Sequence, residues 1–333
     1  MHRVTFSQVA TIAAVSTIAI SSSFVSVANA QSVIKVDGSS TVFPIMERAA
    51  SDFQKSGGAR VTVGVSGTGG GFKKFCNGDT DISNASRPIL KKEIDACRAK
   101  GINYFELPIS YDGIAVVVNP QNTWAKDLTV DELKRIWAPG SQIKNWSQVR
   151  QGFPNVPLKL FGPGPDSGTF DYFTEAIVGK SKSSRTDYTP SEDDNVLVRG
   201  VSSDRGALGY FGKSYLETNT GRIRAVGIIA KAGARPVMPS DATIQNATYQ
   251  PLSRPMFIYV NANAAKRPEV KRFVTYLFNN GNKIVKQARY TPFPQDAYSK
   301  ILANFNKNKL GTIFGGNADI GLTIGELISR EAR

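Results

Sequence analysis

The chain has 333 residues, a formal net charge of +14 at pH 7, 41% hydrophobic and 20% charged residues; this is the composition of a globular protein and excludes a disordered chain. The basic balance suits an anionic partner, but the positive residues are scattered, which argues for a solvated surface rather than a nucleic-acid-binding block. The one histidine is His2, so the chain beyond its leader has no residue for Ser-His-Asp or Cys-His catalysis, His-ligated zinc or His proton shuttling.

Residues 1–30 read as a secretory leader. Arg3 gives the positive start, an apolar stretch diluted by Ser and Thr runs from Val9 to Val27, and the sequence ANA at 28–30 is a small-x-small cleavage site. The mature chain is expected to begin at Gln31 in an exported compartment, periplasmic and without a lipid anchor, because no Cys follows the apolar run. In an oxidising compartment Cys76 and Cys97, the only two cysteines, are expected to form one disulfide; two buried free thiols are the alternative.

After the leader the strand-like VIKV (33–36) enters DGSST and then an amphipathic helix carrying Val42, Ile45, Met46, Ala49 and Phe53. RVTVGVSG (60–67) reads as a strand ending in glycines, followed by a helix with Phe72 and Phe75. YDGIAVVVNP (111–120) has the continuous apolar core of a strand covered on both faces. In LTVDELKRIWA (128–138), Thr129 and Glu132 form a capping box ahead of an apolar helix face. GPGPDSGTFDYF (162–173) again passes from Gly and Ser into a helix. The acidic SEDDN (191–195) is expected to open a helix capped by Ser191, RPMFIYVNA (254–262) reads as a buried strand, and RPEVKRFVTYLF (267–278) as a helix with Pro near its start. Strands alternating with helices predict an α/β protein with largely parallel sheets.

Three of these strand ends share one chemistry. DGSST, SGTGGG and DSGT each place hydroxyls and glycines at a helix start. A helix N-terminus carries partial positive charge and unpaired N–H donors, glycine lets backbone approach a ligand, and Ser and Thr add neutral donors. One such turn is ordinary capping; three with the same mix point to a cage for a tetrahedral oxyanion. Enzyme motifs fail on the same residues: GKS at 179–181 and 212–214 lacks the Walker A glycine, GVSGT ends in Thr where a nucleophile elbow needs Gly, and the glycine spacing in GTGGGF is wrong for a dinucleotide.

DGSSTVFP (37–44), SGTGGGFKKF (66–75), NASRPI (84–89), YDGIAVVVNP (111–120) and DSGTFDYF (166–173), in this order and spacing, resemble the periplasmic phosphate-binding proteins of Pst-type ABC transporters. The resemblance implies the type II periplasmic-binding-protein fold, α/β, with two lobes each built on a mostly parallel sheet flanked by helices. Lobe 1 would be 31–112 plus 258–333 and lobe 2 116–254, with crossing strands near Tyr111-Asp112 and Ser253–Pro255. It implies a monomer that binds inorganic phosphate in the cleft and delivers it to a membrane ABC permease, with no cofactor, no metal, no nucleic acid and no catalysis. Motif matching assigns phosphate contacts to Ser40, Thr41 and the Val42 amide, to Thr68 with Ser66 as a further candidate, and to Ser167, Gly168 and Thr169. Two positions depart from the family. Ser86 stands where members carry the Asp that accepts the proton of hydrogen phosphate, and Pro163 stands where they carry an Arg. Arg87 is therefore expected to supply the cationic contact, and Asp112, Asp166 or Asp171 the proton acceptor. The competing readings are a receptor for sulfate, arsenate or phosphonate, a secreted phosphatase, and a sensory or adhesive module without transport.

Overall fold

The computed structural model describes residues 1–2 and 32–331; the expected leader and its cleavage site lie outside the described residues. Among the described residues eleven strands form: β1 (Ile34–Gly38), β2 (Val61–Val63), β3 (Ile82–Ala85), β4 (Tyr104–Val118), β5 (Asp127–Thr129), β6 (Lys159–Pro163), β7 (Thr189–Ser191), β8 (Ala207–Gly212), β9 (Arg224–Ala225), β10 (Gly227–Ile229) and β11 (Ser253–Asn261). The helices include α1 (Phe43–Lys55), α2 (Gly67–Cys76), α3 (Lys91–Ala99), α4 (Val130–Trp137), α5 (Gly168–Phe173) and α6 (Asp194–Ser203).

The main sheet runs β2-β1-β3-β11-β4-β8-β6-β7, with β9 also on β4. β1 pairs in parallel with β2 and β3, and β6 in parallel with β7 and β8. Between these parallel halves lie two long antiparallel strands. β11 lies against β3 and the first part of β4, and the second part of β4 (Ile114–Val118) pairs with β8. Every residue of β4 and β11 is buried. This follows from YFELPISYDGIAVVV and SRPMFIYVN being largely apolar on both faces, with buried Glu106, Asp112 and Arg254 as charged exceptions. The connections that join parallel strands pass through helices, and this brings the C-terminal ends of β1, β2 and β6 to the starts of α1, α2 and α5.

The local signals mostly fix their elements. Thr129 Oγ1 accepts from the Glu132 amide at 3.0 Å and Glu132 Oε2 from the Thr129 amide at 2.8 Å, closing the expected capping box. Pro268 opens the helix Pro268–Asn279. Two local expectations are corrected. The strand predicted over 60–67 stops at Val63, because Gly64 and the residues after it turn toward α2. The cap of α6 is Asp193, whose carboxylate accepts from the Asn195 amide at 2.9 Å, while Ser191 ends β7. Trp137 and Trp146 are buried in the core, Trp137 edge-on to Tyr210 at 4.9 Å. Cys76 and Cys97 form a disulfide tying α2 to α3. No helix among the described residues is long and apolar enough to cross a membrane.

Candidate functional site

The three hydroxyl-bearing turns meet in one buried cluster. Thr41, in the turn before α1, places its Oγ1 3.1 Å from Thr169 Oγ1, at the start of α5. Thr68, in the first turn of α2, lies 3.1 Å from Ser86 Oγ, and its Oγ1 also accepts from the Ser86 amide at 3.2 Å. Ser167 caps α5, its Oγ accepting from the amides of Thr169 at 3.1 Å and Phe170 at 3.5 Å. Gly168 packs so closely that a Cβ there would fall 2.5 Å from Thr68 Oγ1 and 2.6 Å from Ser86 Oγ. Ser40, Thr41, Thr68, Ser86, Ser167 and Thr169 are all buried. The Val42 amide lies 3.4 Å from Ser39 Oγ, and its side chain belongs to the core. Ser66 donates to Asp37 instead of joining the cluster.

The charges are arranged differently from the sequence expectation. Arg254, near the start of β11, sits in register opposite Asp112 of β4. Its Nη2 is 3.1 Å from Asp112 Oδ2, donates to Thr169 Oγ1 at 2.8 Å and reaches Thr41 Oγ1 at 3.5 Å; its Nη1 donates to the Ser86 carbonyl at 3.1 Å. Both residues are fully buried, and Arg254 Nε has no partner among the described residues. Asp112 Oδ1 also accepts from the Lys213 amide at 3.2 Å. Burial raises the Asp112 carboxyl above its ordinary pKa against the opposing pull of Arg254.

Arg87 is committed elsewhere. Its Nη1 and Nη2 donate to the two Glu93 oxygens at 2.8 and 2.7 Å, and its Nε donates to Asp171 Oδ2 at 2.7 Å. The cation among the hydroxyls is thus Arg254, and the expectation for Arg87 is revised. Of the carboxylates weighed as proton acceptors, Asp171 faces Arg87 and Asp166 pairs with Lys73 at 3.2 Å; Asp112 alone touches the cluster, through Arg254. A further carboxylate does reach it. Asp194, in the first turn of α6, accepts from Ser40 Oγ at 3.0 Å and is almost fully buried. Burial pushes its carboxyl up to about 7, with Asp112 and Asp193 adding to the rise and the Ser40 hydroxyl and Arg254 opposing it.

Sequence reasoning missed Arg254 and Asp194. Arg254 carried a usable signal, a full charge heading an otherwise apolar strand, which is tolerated in a core only with a partner. Asp194 carried none, since SEDDN looks like a solvated cap. Chemically, the cluster offers neutral hydroxyl donors, a guanidinium and helix N-termini converging from two sides, with two carboxylates able to hold or accept a proton. Among the described residues no group of three His, Cys, Asp or Glu is placed to hold a metal ion.

A PBP superfamily domain model matches residues 25–280. A protein named SphX from Synechococcus elongatus is 49% identical over 304 residues, 90% of this chain and 89% of its own length. The phosphate-binding protein PstS of Staphylococcus saprophyticus is 34% identical over 284 residues, 85% of each chain. Among solved structures, a possible phosphate binding protein from Planctomyces limnophilus has 46% identity and a TM-score of 0.61, covering 82% of this chain and 98% of its own. A putative phosphate ABC transporter substrate-binding protein with bound phosphate from Clostridium perfringens has 26% identity and a TM-score of 0.65, covering 79% of this chain and 100% of its own. With hydroxyl-bearing helix starts converging on a buried arginine, and relatives of this likeness along most of its length, the chain belongs to the PstS-like phosphate-binding proteins of the PBP superfamily.

Proposed function

We propose that this protein is an exported, non-catalytic receptor that captures inorganic phosphate between two lobes, 31–112 with 258–333 and 116–254, and hands it as a monomer to a membrane ABC permease. The observation that carries the reading is the buried cluster of Thr41, Thr68, Ser86, Thr169 and Arg254 between the parallel halves of the sheet. The ligand set is Ser40, Thr41 and the Val42 amide from the first turn; Thr68 and Ser86 from the second side; and Ser167, Gly168 and Thr169 from α5. Arg254 is the cation, and Asp112 holds it in place.

Asp194 takes the part of the missing acidic residue at Ser86. Hydrogen phosphate brings a proton that a carboxylate can accept, whereas sulfate brings none and meets only lone pairs. Because the Asp194 carboxyl sits at about 7, it is protonated below that pH and can then donate to sulfate; above it the carboxylate repels sulfate. Selectivity for phosphate over sulfate therefore rises with pH through about 7. Calorimetric titration of the chain from Gln31 with phosphate and with sulfate at pH 5.5 and 8.5 tests both parts. Phosphate binding at both pH values, with sulfate competing only at the lower, is the expected result. Equal binding of the two anions at pH 8.5 would instead make it a general oxyanion receptor. Turnover of phosphate monoesters by the purified chain would overturn the non-catalytic reading.

A further inference from the structure

Arg87 and its partners lie beside the hydroxyl cluster and take no part in it. We propose that Arg87 and Asp171 form a latch across the seam between the halves, which makes Arg87 a positioning residue that sets how long bound ligand is retained. The proposal rests on the phosphate-binding reading above.

On its own side the guanidinium is held rigidly. It donates to both Glu93 oxygens, and Nη1 also donates to the Pro88 carbonyl at 3.0 Å. Glu93 is itself fixed at the start of α3, where its Oε2 accepts from the Leu90 amide at 2.9 Å. The Phe72 ring lies under the guanidinium, 5.7 Å from its carbon to the ring centroid. Its Nε points the other way. It crosses from the segment after β3 to α5, in the half built on β6, and meets Asp171 Oδ2 at 2.7 Å. The other oxygen of Asp171 lies 3.2 Å from Lys182 Nζ. Arg87 and Asp171 side chains are each 1% exposed. Two cations and two carboxylates thus make a neutral chain in which one link, Arg87–Asp171, spans the seam. A backbone contact beside it, Gly69 amide to Asp166 carbonyl at 2.7 Å, marks the same seam.

Parting of the halves leaves Arg87 with Glu93, a complete pair, and turns Asp171 to water. The cross-seam bond therefore contributes only to the closed form, and its loss shifts the population away from that form without removing any ligand contact. Such a change acts on ligand release more than on capture.

The test measures phosphate association and dissociation rates by stopped flow, with the melting temperature of the ligand-free protein, for wild type, Asp171→Asn, Arg87→Lys, Arg87→Met and the Asp171→Asn/Arg87→Met double variant. Asp171→Asn keeps an oxygen acceptor and the Arg87–Glu93 pair, so it is the variant least prone to folding defects. It is expected to raise the dissociation rate by about tenfold or more while the association rate changes by less than about threefold. The ligand-free melting temperature should stay within about 2 °C. Arg87→Lys should restore part of the retention lost in Arg87→Met. The double variant should be no worse than about threefold beyond either single, because both break one link. A dissociation rate in Asp171→Asn within about twofold of wild type overturns the latch. So does a loss in Arg87→Met that Asp171→Asn does not share, which would place Arg87 on the anion itself. An equal fall in ligand-free stability marks the pair as purely structural and overturns it as well. Wild type that binds no phosphate overturns the reading on which the latch rests, whereas wild type that binds with release unchanged in Asp171→Asn overturns the latch alone.

Discussion

Arg254 is a full charge on a strand with no exposed face, and its position is set by register: opposite Asp112, one strand away. The guanidinium fork lets one nitrogen serve Asp112 and Thr169 while another serves the Ser86 carbonyl, which a lysine ammonium on a flexible stem does not reproduce. Arg254→Lys is therefore expected to weaken phosphate binding by about tenfold, and Arg254→Met by about a hundredfold, roughly 3 kcal/mol, in a calorimetric titration. Arg254→Met also strands Asp112 in the core, so its melting temperature should fall more than that of the lysine variant. Asp194→Asn should abolish the pH dependence of sulfate competition; competition that still rises as pH falls through 7 in that variant would locate the proton elsewhere. At this scale the sequence was half legible. Ser40, Thr68 and Thr169 advertised themselves through local motifs, since each lies in a strand–turn–helix pattern with its glycines. The charges did not, because the pairing of Arg254 with Asp112 joins residues 142 apart, and nothing near Arg87 in sequence reveals that Asp171, 84 residues on, will claim it.

Each of the three recurrent turns is a helix start whose first N–H groups have no intrahelical acceptor. Ser167 satisfies two of them at α5. Gly168, next in the chain, is there for clearance: no side chain fits between α5 and the Thr68–Ser86 pair. Gly168 is the first residue of α5, so Gly168→Ala gains little helix propensity, and overpacking should lower stability by about 1–3 kcal/mol. The added methyl would meet Thr68 Oγ1 and Ser86 Oγ, so phosphate affinity should drop by about tenfold or more; unchanged affinity would show that α5 does not close on α2. By contrast, Thr129→Ala removes a cap at α4, away from the cluster, and should lower stability by about 1 kcal/mol in denaturant titration with phosphate affinity intact. Elements were the most legible level. Periodicity and caps gave α1, α4 and the helix over Pro268–Asn279. The misses, the short β2 and the Asp193 cap, fall where glycines or adjacent acidic residues offer more than one local solution.

For the whole molecule, β4 and β11 tie two parallel sheets into one, and the site lies where these strands pass from one half to the other. The two strands pair through Ser253↔Gly113, Arg254↔Asp112 and Pro255↔Tyr111, and we propose that the chain crosses between its lobes at these residues. Periodicity alone could not distinguish one continuous sheet from two, because a buried run of apolar residues carries no information about which neighbours it pairs with. Burial also leaves an electrostatic signature on stability. It raises Asp194, Glu192 and Glu106 to about 7 each, well above their values in an unfolded chain near 4. A carboxyl raised by folding favours the native state fully below its unfolded pKa, and that contribution is lost as pH rises through the folded value. Ligand-free stability is therefore expected to fall between pH 5 and pH 8. Glu106→Gln, at a carboxyl outside the anion cluster that accepts from Tyr259 OH at 2.7 Å and the Ile313 amide at 3.0 Å, should flatten the fall; a profile that rises with pH in wild type would contradict it.

The most direct test of the anion site is a crystal structure of the chain from Gln31 grown with phosphate. One phosphate is expected, its oxygens within hydrogen-bond distance of Thr41 Oγ1, Thr169 Oγ1 and Arg254 Nη2, with Arg87 still on Glu93 and Asp171. Phosphate bound away from these groups, or held by Arg87 while Arg254 touches only Asp112, would contradict it.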